Sequence, residues 1–410
     1  MAGALMCFAV VAGAQTSTTA PSTTAVDSNP ATATSSTPAP IAPPAAPVWS
    51  VGSVDFSGYL DGYFSYNANR PASQTSGYYN FDELNQFNLE AAKLTINHDP
   101  DPVGIHADIL FGRTNTDLQS NGLGINNIEQ AYISVKPTKA KGFELDFGQF
   151  VTSAGQEVIE TMNNWSYSHG LLFTEAIPYY HFGLRTSMPV TKSWTAGVQV
   201  VNGWNNVTDN NGGVTIGLTS SLVKPKYTWN TNYYVGPENS GFPLAPAGTQ
   251  KGYRNLFDTT LLLTPTAKFN MYVNYDYTQN HTPAFPGCGE CEFSASRAAS
   301  RHLQGIAASA RGQVTAKAAL VGRFEYLADQ GPTSAGIVAI GTGTKQKLKE
   351  FTATYEYKWL AGLLVRAEYR YDWSNVKVFE YGNDSSNFGP SKTSQQTLTV
   401  GMIAFFGPKR

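Results

Sequence analysis

The sequence predicts an all-β chain: a transmembrane, antiparallel, up-and-down β-barrel of about 16 strands. Three observations predict it. Only 14% of the 410 residues are charged and 12% are aromatic, whereas an ordinary soluble domain has about 25% charged residues. Apolar and polar residues alternate with a period of two along many short segments. Short and long connections alternate between those segments, as short periplasmic turns and long extracellular loops do in outer-membrane barrels.

The alternating segments begin at Val54. Between Val365 and Tyr371, for example, every second residue is apolar or aromatic, and the residues between them are Arg, Glu and Arg. Strict alternation is typical of a sheet with one apolar and one polar face. In chain order the predicted strands are 54–67, 87–98, 103–113, 127–137, 142–152, 181–190, 194–204, 215–225, 226–237, 254–265, 267–280, 303–314, 315–329, 348–360, 363–374 and 394–406.

The connections and the tryptophans indicate two different rims. Connections such as 190–193 and 361–362 are short, and they alternate with longer ones rich in Gly, Asn, Ser and Pro. Trp194 and Trp359 are predicted at the short-turn rim, and Trp204 and Trp373 at the long-loop rim, as in the aromatic belts of membrane proteins. A barrel of about sixteen strands is too wide for side chains to fill, so the apolar face is predicted to face lipid.

The chain is predicted to have three parts. Residues 1–14 are apolar and end on Ala-Gly-Ala, which is typical of a signal peptide, although the usual basic start is missing, so this segment is truncated or atypical. A disordered apolar N-terminus is the alternative. Residues 15–50 are rich in Ser, Thr, Pro and Ala and are predicted to be a disordered linker. Residues 51–410 form the barrel. The net charge of −2 gives no electrostatic case for a nucleic-acid partner.

Few residues suggest chemistry. Cys288 and Cys291 form a CxxC in a predicted extracellular loop, where a local disulfide is the favoured interpretation. A metal site is the alternative, with His281 and His302 as the nearby imidazoles. No cofactor motif or hydrolase motif is present in the sequence. Ser168 and His169 are adjacent, but neighbours in sequence rarely face each other, so we expect no enzyme and no cofactor.

Charged residues recur on the predicted inward face. A charge at mid-membrane on the lipid face costs about 2–4 kcal/mol, so the alternation places these residues in the lumen. They either line a solvated pore or pair across strands and stabilise the wall, and both interpretations stay open. The acids are Asp61, Glu90, Asp108, Glu144, Asp146, Asp276, Glu325, Glu356, Glu368 and Asp372, and the bases are Arg185, Arg311, Lys317, Arg323, Lys358, Arg366 and Arg370.

Four segments carry a family resemblance: Gly58–Tyr63, Glu129–Tyr132, Asn164–Ser168 and Pro178–Arg185. Over about 54–406 the chain resembles the OmpL-like β-barrel porins of Gram-negative bacteria. The resemblance implies an outer-membrane pore without catalytic residues, through which ions and small hydrophilic solutes diffuse passively. Outer-membrane lipid is then a partner, and a homotrimer is one open alternative for its assembly. The alternative function is a surface-binding or structural barrel with a blocked lumen. In contrast to many outer-membrane barrels, Phe406 is followed by Gly-Pro-Lys-Arg rather than ending the chain.

The predicted loop 153–180 is the third outer loop and unusually apolar for a solvated segment. The chain resembles general porins of sixteen strands, in which the third loop folds into the barrel. We therefore expect this loop to narrow the lumen, with an apolar plug at the outer rim as the alternative. Opposed acids and bases would create a transverse field there. The predicted constriction and lining residues are Glu157, Glu160, Glu175, Arg185, Asp108, Glu144, Asp146, Arg323, Arg366, Glu368 and Arg370.

Overall fold

The computed structural model describes residues 49–76, 83–118, 125–209, 212–239, 252–282, 299–329, 345–382 and 391–407. The predicted signal peptide, most of the predicted linker, and Cys288 and Cys291 lie outside these residues. The described strands are β1 (Ser50–Val51), β2 (Val54–Asn67), β3 (Gln86–His98), β4 (Val103–Phe111), β5 (Ile128–Val135), β6 (Glu144–Val151), β7 (Tyr180–Pro189), β8 (Trp194–Val201), β9 (Thr215–Lys224), β10 (Tyr227–Asn239), β11 (Gly252–Thr266), β12 (Phe269–Thr282), β13 (Ala299–Gln313), β14 (Ala318–Asp329), β15 (Gln346–Leu360), β16 (Leu363–Ser374) and β17 (Ser394–Phe406).

The sixteen strands β2 to β17 form a closed antiparallel barrel. Each strand pairs with the next in the chain, and β17 closes the ring by pairing with β2, with Ile403 opposite Asp61. The two-residue β1 pairs only with the start of β2. Closure satisfies the backbone groups of every strand and leaves no free sheet edge, which a membrane-spanning sheet requires. The predicted fold class is confirmed.

The connections have the predicted asymmetry. Each connection that follows an even-numbered strand is long, and each that follows an odd-numbered strand from β3 onward is short. The shortest include 225–226 and 361–362, where Gly362 adopts a φ of +77°. The longest lies between β6 and β7. Its short helix Leu171–Glu175 and the helix Arg113–Leu118 are the α-helices of the described residues, and none is long and apolar enough to cross a bilayer.

The two faces of the wall differ as the alternation predicts. On β12 the side chain of Val273 is 41% exposed on the outer face, whereas its neighbour Asn274 is 3% exposed on the inner face. Trp194 and Trp359 are exposed at the short-turn rim. Because a polar lumen and an apolar exterior are the reverse of a soluble barrel, the wall is built to be surrounded by lipid.

One tryptophan departs from the predicted belt. Strand β8 ends at Val201, and the chain turns at Gly203, which has a φ of +141°. Trp204 therefore lies in the following loop and packs against buried residues rather than against lipid. The guanidinium of Arg254 lies 4.5 Å from the centre of its ring. Lys317 also differs from prediction, because β14 begins only at Ala318 and this lysine is exposed in the preceding short turn.

Two β-bulges change which residues face inward. In β3 the pairing with β2 shifts so that Glu90 is an extra residue, and in β5 the pairing with β4 shifts at Glu129. Each bulge puts two consecutive residues on the inner side. If even-numbered residues face inward before the bulge, odd-numbered residues do so after it, and the reverse. Lys93, three residues after Glu90, consequently faces inward and is buried.

Candidate functional site

The third long loop, residues 152–179, lies inside the barrel, and we call it the inner loop. Its apolar side chains, including Trp165, Leu171 and Phe173, belong to one buried cluster with inward residues of the wall. The ring of Trp165 lies 5.1 Å from that of Tyr272 on β12. The apolar composition of the loop therefore serves packing inside the barrel rather than at a free surface.

Arginines of the wall bind the backbone of the inner loop. The guanidinium of Arg366 on β16 donates to the carbonyls of Thr161 at 2.6 Å, Asn164 at 2.5 Å and Ser166 at 3.2 Å. It also pairs with Glu356 at 2.9 Å. One side chain thus satisfies three buried carbonyls, which would otherwise carry a desolvation cost.

Two further arginines hold the next part of the loop. Arg323 on β14 donates to the carbonyl of Ser168 at 2.8 Å and pairs with Glu157 of the loop and, at 2.9 Å, with Glu350 of the wall. Arg370 on β16 donates to the carbonyl of His169 and to the hydroxyl of Ser168. The three arginines, which lie on β14 and β16, therefore hold the segment 161–169 by hydrogen bonds to its backbone and to the Ser168 hydroxyl.

Carboxylates of the wall accept the N–H groups of the same loop. Glu368 accepts from the amides of Tyr167 at 2.6 Å and Ser168 at 3.0 Å. Glu325 accepts from Leu172 at 2.9 Å. Three strands before β14, Asp258 on β11 accepts from Gly155 at 3.0 Å. Basic side chains of the wall thus donate hydrogen bonds to carbonyls of the loop, and acidic side chains of the wall accept hydrogen bonds from its amides.

On β6 and β7, acids and bases of the wall form ion pairs with each other rather than with the inner loop. Nε of Arg185 donates to Asp146 at 2.7 Å, and its guanidinium lies 4.9 Å from the centre of the Tyr132 ring and 4.5 Å from that of Phe150. Glu144 pairs with Lys136 at 3.1 Å, near the short-turn rim. Arg185 thus contacts an acid of its own wall, while the loop acids Glu157 and Glu160 pair with Arg323 and Lys93.

A four-residue cluster joins the loop to this side of the wall. The ammonium of Lys93 lies 2.9 Å from Asp108 and 2.6 Å from Glu129, and it also bonds to Glu160 of the inner loop. The sequence analysis missed Lys93 and Glu129, because strict alternation after Glu90 puts Lys93 on the lipid face. The available signal was that Glu90 and Lys93 are three residues apart on one strand, so regular alternation would place one of these two charges on the lipid face. A bulge between them places both on the inner face.

Burial changes the protonation of the loop's own titratable groups. Burial lowers the pKa of His169 to about 4, and its Nε2 lies 2.7 Å from the carbonyl of Val158. Burial, and secondly the nearby Asp329 carboxylate, raises the pKa of Glu175 to about 8. For Glu157 burial acts to raise the pKa, but the Arg323 guanidinium, together with smaller contributions that include the Gly170 amide, outweighs burial and holds the pKa below its usual value.

Several side chains near the cluster and the short turns are partly exposed. The side chains of Glu160 and His106 are 15% and 16% exposed, and that of Lys136 is 29% exposed. Met162 and Asn163 of the loop are also partly exposed, whereas Arg185, Arg323 and Arg370 are almost fully buried. The partly exposed side chains of the inner loop thus include Glu160, whereas these three arginines are shielded from solvent.

Solved structures share this architecture. The in-vitro-folded OmpT, an outer membrane protein of Vibrio cholerae, aligns with a TM-score of 0.57 at 12% identity, over 88% of this chain and 100% of its own. The anion-selective porin from Comamonas acidovorans gives 0.55 at 9% identity, over 86% and 99%. OmpF of Salmonella typhi, in complex with daunomycin, gives 0.53 at 12% identity, over 86% and 97%. No curated protein matches the chain.

The family assignment covers nearly the whole barrel. Residues 53–406 match the family model described as "Putative beta-barrel porin-2, OmpL-like". That range begins next to the first barrel strand and ends at Phe406, the last residue of β17. The match, the closed sixteen-stranded wall and its apolar exterior agree with one another. The chain belongs to this family of OmpL-like β-barrel porins, and it is a protein of the bacterial outer membrane.

Proposed function

We propose that the protein is a passive diffusion pore for ions and small hydrophilic solutes, with the inner loop as its constriction. The observation that carries the proposal is the loop's position: it is bonded to β14 and β16 on one side and to β3, β10 and β11 on others. A loop fixed at this depth leaves only a narrow path for water and solutes. Charges beside that path act strongly because the interior is poorly screened.

Cation preference follows from the charges beside the exposed part of the loop. Glu160 is partly exposed, and Asp108 and Glu129 lie with it against the single ammonium of Lys93. With Asp108 and Glu160 ionised against the one ammonium, the cluster has an excess of negative charge. A negative potential beside a narrow path raises the local concentration of cations and lowers that of anions.

A structural or surface-binding barrel with a blocked lumen is the second candidate. It is favoured by the near-complete burial of Arg185, Arg323 and Arg370, which in a wide water-filled pore would be hydrated. In this candidate the inner loop is a permanent plug and the long outer loops make the functional contacts.

Conductance in planar bilayers tests the two candidates. We expect the full-length protein to give small, steady, cation-preferring channels, and deletion of Glu157–Leu172 to raise the single-channel conductance. Glu157→Gln combined with Glu160→Gln should lower the cation preference in a salt gradient. The matched control is a deletion of residues 331–344 from the connection between β14 and β15, which should leave conductance near the full-length value. Absence of channels in the full-length protein, with channels only after the inner-loop deletion, would establish the blocked barrel.

Further properties are proposed from the sequence alone. Residues 1–14 direct export, 15–50 form a flexible linker, and Cys288 and Cys291 form a local disulfide. The apolar outer wall contacts outer-membrane lipid, and homotrimers are a proposed assembly. We also infer that the protein has no enzymatic role. In the inner loop, Ser168 donates to Glu368 and Nε2 of His169 faces the carbonyl of Val158, so both side chains serve to hold the loop.

A further inference from the structure

We propose that Lys93 is a tethered counter-ion that determines the ion selectivity of the pore. The proposal rests on the proposed pore function and names the residue that controls it. Its ammonium is held by Asp108 of β4, Glu129 of β5 and Glu160 of the inner loop. Three carboxylates on three separate elements therefore converge on one cation.

The geometry resembles a cation site whose occupant belongs to the protein. One carboxylate oxygen from each of the three acids lies within 4.8 Å of the others. Such a spacing suits a single small cation, because oxygen atoms around a divalent ion lie at about 2.0–2.6 Å from it. The ammonium carries one positive charge against three carboxylates, and it is fixed at the end of a side chain anchored in β3. Permeant cations are attracted by the remaining negative charge but cannot replace the tethered one.

The position of the cluster connects it to the path. Glu160 is the member that belongs to the inner loop, and its side chain is also among the loop groups that are partly exposed. Glu129 and Lys93 face inward because of the bulges in β5 and β3. Two local irregularities of the wall, rather than its regular alternation, therefore build the site beside the exposed part of the loop.

Neutralising the lysine should expose the full charge of the acids. In Lys93→Gln the ratio of cation to anion permeability is expected to rise about threefold or more, as removal of one charge at roughly 5 Å in a wet path predicts. Millimolar Ca²⁺ should then block this variant while leaving the parent protein almost unaffected, because the three carboxylates become available to a divalent ion. Glu160→Gln should act in the opposite direction and lower the cation preference.

The matched control is Lys224→Gln, the same substitution at an exposed lysine of the short-turn rim whose ammonium lies 2.9 Å from Ser193. It should keep the selectivity of the parent protein and gain no Ca²⁺ block. A second readout needs no channel: Ca²⁺, compared with a chelator, should raise the temperature at which folded Lys93→Gln converts to its unfolded form on SDS gels. The parent protein and Lys224→Gln should show no such rise.

The outcomes distinguish a failure of the role of Lys93 from a failure of the pore function. Channels whose selectivity is unchanged in both Lys93→Gln and Glu160→Gln would overturn the role of Lys93 while leaving the pore intact. If Lys93→Gln fails to fold, the selectivity of Glu160→Gln decides, and an unchanged selectivity there is equally negative. If no variant conducts, the pore function fails, and Ca²⁺-dependent stabilisation of Lys93→Gln still tests the tethered cation.

Discussion

Removing Arg366 should release the inner loop from the wall. This side chain is buried, and its guanidinium donates to three loop carbonyls at 2.5–3.2 Å. A hydrogen bond from a charged group contributes about 1.5–3 kcal/mol. At the lower end of that range, three bonds stabilise the docked loop by about 4–5 kcal/mol. Arg366→Ala should therefore make docking of the loop less favourable by that amount.

The matched control is Arg311→Ala. Arg311 pairs with the same carboxylate as Arg366, Glu356, at 2.7 Å, but in the described part of the chain it has no hydrogen bond to the inner loop. Each substitution removes one of the two guanidiniums paired with Glu356 and leaves the other in place. Only Arg366→Ala also leaves loop carbonyls without donors. The difference between the two variants therefore isolates the loop contacts.

Single-channel recording and limited proteolysis measure the effect. We expect Arg366→Ala to show larger or noisier channels and faster cleavage within residues 157–172, and Arg311→Ala to lose stability without either change. Urea titration in lipid vesicles checks that both variants keep a folded barrel. Equal conductance and equal cleavage in the two variants would show that the arginine–carbonyl contacts do not hold the loop, and the reasoning above would be wrong.

Three further predictions follow from other contacts. Val273→Arg, on the exposed outer face of β12, should lower the unfolding free energy in vesicles by about 2–4 kcal/mol, while Val273→Leu should not; equal values would place this face away from lipid. Tyr167→Phe removes the 2.7 Å hydrogen bond from its hydroxyl to Asp61 and should lower the unfolding free energy by about 1–3 kcal/mol in a urea titration; an unchanged value would show that this bond does not stabilise the fold. The pKa of Glu175 is raised from 4.5 to about 8, so its contribution is fully present below about pH 4.5 and is lost as the pH rises through 8. Glu175→Gln should accordingly flatten the fall in melting temperature between pH 5 and 8.5, and a parallel fall in parent and variant would contradict the assignment.

The inner wall was predictable in composition but not in its contacts. Alternation placed Arg323, Arg366, Glu368 and Arg370 inward, and all four are buried inside the barrel. Whether such charges face water, each other or a loop depends on segments far apart in the chain. Arg366 and the carbonyl of Thr161, for example, are 205 residues apart in sequence. A pattern with a period of two contains no information on such pairings.

The sequence by itself determined the barrel, because each of its signals is local. Period-two alternation, short and long connections, and the low charge content act within single strands or between neighbours, and the antiparallel order follows from them. The predicted strands 54–67 and 394–406 agree with β2 and β17 to the residue. The apolar composition of the third loop likewise showed that this segment needs a surface on which to pack.

Only the tertiary structure decided what occupies the interior. The bulges at Glu90 and Glu129 are register shifts between neighbouring strands, and they turn Lys93 and Glu129 towards the inner loop. The wall charges bind loop backbone because closure of the barrel brings β14 and β16 to the loop that leaves β6. Buried amides and carbonyls must find partners wherever the fold places them. For the inner loop those partners are side chains of distant strands, and their meeting depends on the closed barrel as a whole.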